Sequence, residues 1–306
     1  MPQRESLPTK FIGVPFAASE ARAFGISASR LRASELRAPI RGIREPRASN
    51  DSFETLISRY AAHMADDEHF SHVTAAKLYG IPLPRHLENL PIIHISVHEP
   101  AFPPRVRGII GHRLSVPIAP RLRGGLQMIS PARTFTQLAA VLSHDDLVIA
   151  GDFLVGRKTP LCTMEELAAA VKSMGPARGV LAARIALPEV RRGTDSPMET
   201  RTRLMIACAK LPEPVIGYTV RDANGDFIGT PDLAYVRERI AIEYQGSDHW
   251  MNPAVFADDI ERRILFERAG WIVILVIADH IFRNPHWTTE RIRTALRDRT
   301  DLAPRL

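Results

Sequence analysis

Two acids and an amide stand close together in the stretch PDLAYVRERIAIEYQ, residues 231–245. Asp232 follows a Gly-Thr-Pro turn and opens a short strand. The charged turn Arg237-Glu238-Arg239 comes next, and the apolar run Ile240-Ala241-Ile242 then delivers Glu243 and Gln245. Side chains two apart on a strand share a face, so Glu243 and Gln245 project together. A hairpin through the charged turn brings Asp232 beside them. Two carboxylates with an amide or backbone oxygen make a hard-oxygen pocket suited to Mg²⁺. Such an ion, Mg²⁺ or Mn²⁺, activates water and neutralises charge on a phosphodiester. The reading requires positions 232 and 243 to share a face of the sheet.

The elements that must hold these residues form a block at 196–306. Ser196 is placed to cap a helix with Pro197 at its first position, running from Met198 to Lys210 with Glu199 in its first turn. Strand one is expected at Val215 to Arg221, followed by an Asn-Gly hairpin turn. Strand two spans Phe227 to Tyr235 and strand three Ile240 to Gln245. A helix from Asp258 to Ala269 ends at Gly270. The continuous apolar run Trp271 to Val276 predicts a strand covered on both faces, and Thr288 to Arg297 predicts a closing helix. The sum is a mixed sheet flanked by helices.

Upstream, residues 1–48 predict a small basic unit. A short helix at 18–25 closes on glycine, Ser27 is placed as a cap, and a second helix runs from Ala28 to Leu36 until Pro39 stops it. Residues 40–44 suit a wing strand. Helix, turn, basic helix and basic strand is the layout of a winged helix-turn-helix. The window from Arg22 to Arg47 holds seven arginines against Glu35 and Glu45. Of these, Arg30, Arg32, Arg37, Arg41 and Arg44 are the candidate phosphate contacts; the plainer alternative is a helical cap with solvated arginines.

Residues 49–190 read as a middle α/β domain, with helices near 53–62 and 72–79, a buried strand at 92–97, and mostly helix from 134 to 190. Ser71 is placed to cap the second of these helices, and Gly80 to end it. Thr163 to Glu166 has capping-box spacing. Histidines 63, 69, 72, 94 and 98 match no ligand spacing, so core or surface roles are expected for them. Arg105, Arg107, Arg113, Arg121 and Arg123 form a second basic stretch, either phosphate-facing or the charged protection of a sheet edge. The polar segment 188–196, with Gly193 and Pro197 nearby, suits a linker.

Composition narrows the class. The chain has 306 residues, 45% hydrophobic and 24% charged, as in folded proteins rather than disordered ones. A net charge of +6 favours an acidic partner such as nucleic acid. Its two cysteines, Cys162 and Cys208, lack zinc-site spacing and predict a reducing, cytoplasmic setting. Apolar runs fall short of the roughly 20 residues that span a membrane, and the opening MPQRESLPTKFIGVPF lacks the apolar core of a signal peptide.

Four pieces in order, SPMETRTRL, PDLAY, IAIEYQGSDHW and DIERRILFERAGWIVILV, resemble the PD-(D/E)XK nuclease superfamily, in particular proteins with a very-short-patch-repair-like endonuclease domain. The resemblance covers Ser196 to the C-terminus. It implies a restriction-endonuclease-like sheet and metal-dependent hydrolysis of a phosphodiester. It makes Asp232 and Glu243 the metal carboxylates and Glu199 an additional catalytic acid, though a helix N-terminus favours a carboxylate at that position anyway. Gln245 stands where the superfamily usually has lysine, and glutamine cannot supply positive charge or help deprotonate water. His249 is the natural substitute as proton shuttle, with Asp248 to orient it; a loop histidine stacked on Trp250 is the alternative. Arg262, in a D-x-x-R stretch with Asp259, is placed to pair with the acids or touch phosphate, or to form a helix-surface ion pair. Trp271 reads as core.

The stretches ASEARAFGISASRLRASELRAPIRGIR and FSHVTAAKLYGIPLP are similar to the winged-helix and following domain of AbiEi-family antitoxins of abortive-infection systems. The expectation is therefore an α/β (α+β) protein of the cytoplasm that holds duplex DNA and cleaves it with Mg²⁺ or Mn²⁺. The alternative is a catalytically inactive DNA-binding regulator or antitoxin, with a cognate toxin as partner.

Overall fold

The computed structural model describes residues 6–39, 42–47, 52–62, 64–106, 108–115, 121–246 and 253–301, with side chains omitted at 253–259 and 301. The fold is mixed α/β with several sheets, and it divides into two compact units, 1–137 and 138–306.

The first unit begins with a small core of its own. Strands β1 (Phe16–Ala17), β2 (Leu36–Arg37) and β3 (Ile43–Pro46) form an antiparallel sheet in the order β1-β3-β2, beside helix α1 (Ala18–Ala23). Phe11, Phe16, Ala21, Ile26, Leu31 and Leu36 bury against one another beneath it. The short helix agrees with the sequence reading and β3 overlaps the expected strand at residues 43 and 44, whereas the second helix does not form. Residues 28–36 hold only one 3-10 turn, Arg30–Arg32, before β2 begins. Leu31 and Leu36 are both needed in the core, and their spacing of five does not return to one face of an α-helix. The expected recognition helix is therefore replaced by a turn.

Helix α2 (Phe53–Ala61) is capped by Ser52, whose hydroxyl accepts from the Thr55 N–H at 3.3 Å. Its Arg59 forms a two-pronged pair with buried Glu45 of β3, at 2.8 and 2.9 Å, and Arg37 Nε adds a third bond at 2.7 Å. The expected boundary after residue 48 thus falls inside one unit. Strands β4 (Glu68–Phe70), β5 (Ile93–His98), β6 (Ile109–Leu114), β7 (Arg121–Arg123) and β8 (Leu126–Met128) form a mixed sheet in the order β6-β5-β4-β8-β7. Helix α3 (His72–Tyr79) packs on β5 and ends at Gly80, which takes the left-handed φ of +76°. Helices α4 (Arg85–Glu88) and α5 (Pro131–Leu138) complete the unit. β7 is an exposed edge strand carrying Arg121 and Arg123.

The second unit opens with α6 (His144–Leu154), α7 (Met164–Lys172), α8 (Val180–Ala186) and α9 (Pro197–Cys208). Ser143 and Ser196 cap α6 and α9, and Thr163 with Glu166 closes a capping box on α7. The composition of segment 188–196 predicts a separation of domains, yet α6 packs directly on α9. Buried Asp152 of α6 holds the two together. Its carboxylate accepts from Arg191 N at 2.7 Å, Thr200 Oγ1 at 2.9 Å and Arg203 Nη2 at 2.8 Å. A linker-like composition here covers a buried polar hub.

Strands β9 (Val215–Ile216), β12 (Leu233–Tyr235), β13 (Ile240–Tyr244) and β14 (Ile272–Val276) form a four-stranded sheet in the order β14-β13-β12-β9. β13 and β14 run parallel, linked through α10 (Pro253–Arg268), and the other pairs are antiparallel. β10 (Val220–Arg221) and β11 (Phe227–Gly229) form a separate hairpin across the expected Asn-Gly turn. The two long strands predicted at 215–221 and 227–235 are each broken in two. Gly217, at a φ of +63°, turns the first, and Pro231, which lacks an N–H for any ladder, separates the halves of the second. Helices α11 (Ala278–Phe282) and α12 (Pro285–Asp301) close the chain. Leu233, Tyr235, Ile240 and Ile242 pack with Ile206 of α9 and Ile292 of α12 on one face. Ala234 and Ala241 pack with Phe266 and Trp271 on the other. Trp271 is thus core, as expected.

Candidate functional site

The register of β12 against β13 pairs Leu233 with Ile242 and Ala234 with Ala241. One step beyond Leu233 and Ile242 stand Asp232 and Glu243. By the alternation of the strands, both lie on the face of Ala234 and Ala241. The geometric requirement set by the sequence is therefore met: the two carboxyl groups do not straddle the sheet. Glu243 sits at the carboxyl end of β13, beside its parallel neighbour β14, and crevices at the carboxyl ends of parallel strands are the usual place for ligands in α/β sheets.

Three contacts define this corner. The Tyr244 N–H donates to Asp232 Oδ2 at 2.7 Å. Arg262 of α10 donates from Nη2 to Glu243 Oε2 at 2.9 Å. The Gln245 N–H donates to Val276 O at 2.7 Å, which continues the β13–β14 ladder one residue past Tyr244. Gln245 is half-buried, two positions beyond Glu243. Arg262 owes its position partly to Gly229, where a Cβ would stand 3.3 Å from Arg262 Cδ and 3.1 Å from the Phe266 ring. A side chain there would push α10 outward.

Glu199 comes from the first turn of α9. Its N–H donates to the Ser196 hydroxyl at 3.2 Å, and its Oε2 accepts from Asp195 N at 2.8 Å. It therefore caps its own helix, as the structural alternative required. It also contributes to the electrostatics of the site. Asp232 is pushed up to about 7, first by burial, then by the negative charge of Glu199 and, more weakly, of Glu243; the Tyr244 hydrogen bond and Arg262 pull in the opposite direction. Burial likewise raises Glu199 above the usual carboxylate range. Negative charge from Glu199 and Glu243 acting on Asp232 is what a cation bound there would relieve. Their donors are hard carboxylate oxygens, the ligand type that Mg²⁺ and Mn²⁺ take.

His249, Asp248 and Trp250 lie outside the described residues, as do His63, Arg107 and the side chain of Asp259. Of the expected phosphate contacts, Arg30 pairs with Glu35 at 2.7 Å and Arg37 with Glu45 at 2.7 Å. Arg44 donates to the carbonyls of Leu31 and Ile43. These three guanidinium groups brace the small N-terminal sheet. Arg32 is exposed, and Arg41 lies outside the described residues.

A second cluster was not anticipated. The histidine spacings predicted core or surface roles, yet the tertiary fold brings His72, His94 and His112 together, with one ring nitrogen of each within 4.8 Å of the others. Among the described residues this is the group of three ligand-type side chains that meets that distance; the three acids are more widely spread. His94 and Ser96 alternate with buried Ile93, Ile95 and Val97 along β5, and β5 pairs in parallel with β6, placing Ser96 against His112. His72 opens α3 with a φ of +50°. The expected side-chain cap of α3 by Ser71 does not form. Instead its hydroxyl meets His72 Nδ1 at 3.1 Å, and Gln137 Oε1 accepts the His72 N–H at 2.9 Å. The only sequence signal was the polar alternation His-Ile-Ser-Val-His on a strand.

No family model matches the chain, and no solved structure matches it. Similar curated proteins include two from Mycobacterium tuberculosis, uncharacterized protein MT2308 of strain CDC 1551 / Oshkosh and uncharacterized protein Rv2248 of strain H37Rv. Each is 28% identical over 232 residues, covering 75% of this chain and 81% of the relative. Among the described residues, no helix is long and apolar enough to cross a membrane.

Proposed function

We propose that the second unit hydrolyses phosphodiester bonds of duplex DNA with a divalent ion held by Asp232 and Glu243, in the manner of the PD-(D/E)XK nucleases that its sequence resembles. The carrying observation is the juxtaposition of Asp232 with Glu243 on one sheet face, with the Asp232 carboxyl raised to about 7 by burial and neighbouring acids. An Mg²⁺ or Mn²⁺ ion there would activate water and neutralise phosphate charge.

The chain's own groups divide the remaining work. The Tyr244 N–H fixes one Asp232 oxygen and so orients the carboxyl group. Arg262 is bonded to Glu243 and stands ready to contact a phosphate oxygen. Glu199 adds negative charge that favours cation capture. Gln245 leaves the site without the usual lysine, and proton transfer then falls to His249. The net charge of +6 supports a polyanionic substrate, and exposed Arg32, Arg121 and Arg123 are the supporting surface cations.

The test is nicking of supercoiled plasmid with Mg²⁺ or Mn²⁺ by the full chain, beside Asp232→Ala and Glu243→Ala. Cutting by the parent and loss in both variants is the expected result. A parent that never cuts, or variants that cut normally, would overturn the proposal.

One observation favours the alternative of a DNA-binding regulator or antitoxin. Arg262 already supplies a cation to Glu243, and Gln245 replaces lysine, so the corner can be electrostatically satisfied without a metal. Calorimetric titration with Mg²⁺ separates the two: absence of a site sensitive to Asp232→Ala, together with a footprint on the protein's own promoter, supports the regulator.

A further inference from the structure

We infer that His72, His94 and His112 form a binding site in the first unit for a late first-row divalent transition ion, with Zn²⁺ the natural occupant. The site is independent of the Asp232–Glu243 corner and of the reaction proposed for it.

The donor type sets the class of ion. Imidazole nitrogens suit Zn²⁺, Cu²⁺ and Ni²⁺, whereas Mg²⁺ and Ca²⁺ need oxygen ligands. Three protein ligands with a further open position is the arrangement of a zinc centre that keeps a site for water or substrate. All three histidines are partly accessible rather than sealed in the core, so an ion has a way in.

Distances are compatible with capture after a small adjustment. His94 Nδ1 and His112 Nε2 face each other at 2.9 Å and share a proton. Two nitrogens on a tetrahedral Zn²⁺, with bonds of about 2.0–2.1 Å, stand about 3.3 Å apart. The ion would take the place of that shared proton and spread the pair by about 0.4 Å. The rings now stack at centroid separations of 3.6 to 5.5 Å, so their in-plane lone pairs must turn inward. Histidine χ2 is a broad, soft torsion that permits this.

The surroundings are those of ligands held in place. Ser71 Oγ bonds His72 Nδ1 at 3.1 Å, as outer partners orient metal-bound histidines. Gln137 receives the His72 N–H and donates to Ser96 Oγ at 3.4 Å, while the His94 N–H donates to Thr74 Oγ1 at 2.8 Å. His72 keeps a left-handed backbone, an uncommon conformation that recurs at functional sites. Burial, with the neighbouring rings, brings His72 down to about 2 and His94 to about 4, and burial lowers His112 as well. The shifts favour the neutral imidazole, the form that binds metal.

The experiment is Zn²⁺ titration of the metal-free full chain against a chromophoric chelator, with His94→Ala, His112→Ala and Ser71→Ala. Binding of one Zn²⁺ per chain is expected, with unchanged affinity in excess Mg²⁺. Ser71→Ala should weaken it by about 10–100-fold, the usual effect of losing an outer partner, and either histidine variant by more. Zinc-edge X-ray absorption on the parent should count three imidazole ligands, and this readout stands even if a variant fails to fold. Absence of stoichiometric binding, fewer than three imidazoles, or unchanged affinity in folded histidine variants would overturn the assignment.

Discussion

Replacing Asp232 with asparagine isolates the electrostatic claim on which the carboxylate site rests. The carboxyl group moves from an ordinary value of 3.8 to about 7 in the folded chain. At 1.36 kcal/mol per pK unit, ionising it in the fold costs up to about 4 kcal/mol of stability, and partial exposure brings the expectation to about 2–4 kcal/mol. The sign follows from proton binding. Between pH 4 and 7 the folded state holds a proton that the unfolded state has lost, so this contribution to stability is full below about pH 4 and disappears as pH rises through 7. The introduced amide retains an oxygen for the Tyr244 N–H but does not titrate. The Asp232→Asn variant should therefore gain on the parent by up to about 1.4 kcal/mol per pH unit across that window, then hold a constant lead. All three tryptophans, Trp250, Trp271 and Trp287, lie in the second unit, so their fluorescence during urea unfolding reports this unit. Titrations common to both proteins cancel in the difference. At pH 8, added Mg²⁺ should recover stability in the parent alone, since an ion that binds only the folded state stabilises it by mass action. A difference that stays flat from pH 4 to 7 would refute the buried-acid reasoning, because Asp232 would then be ionised throughout.

Two further substitutions test the frame around the site. Asp152→Ala strands the buried Arg203 guanidinium and should cost about 3–5 kcal/mol, read as a fall in the urea midpoint of the second unit. Gly179→Ala places a Cβ 2.5 Å from the Ala139 carbonyl carbon at a φ of +85°; strain and collision together should cost more than about 2 kcal/mol, seen as a lowered thermal midpoint of the full chain.

The residues that carry chemistry differ in how far sequence could place them. Asp232 and Glu243 were legible because strand alternation and a short hairpin are local properties. A two-residue period fixes each face, and the four residues between Tyr235 and Ile240 set the register. The caps at Thr163 and Ser196 were legible for the same reason, as each satisfies its helix within four residues. The second N-terminal helix was not, because Arg30, Leu31 and Arg32 have good helix propensity that only the demands of the small core override. The linker at 188–196 misled through its composition, since the partner that anchors it, Asp152, lies about forty residues earlier.

What the chain determined by itself was the local geometry of one hairpin, its acids and the apolar faces on either side. Tertiary structure decided everything that depends on distant segments meeting. It brought Arg262 across from α10 to Glu243, Glu199 within electrostatic reach of Asp232, and three histidines from a helix start and two neighbouring strands into one cluster. The physical reason is that hydrogen-bond periodicity acts over a few residues, whereas packing and electrostatics act through space.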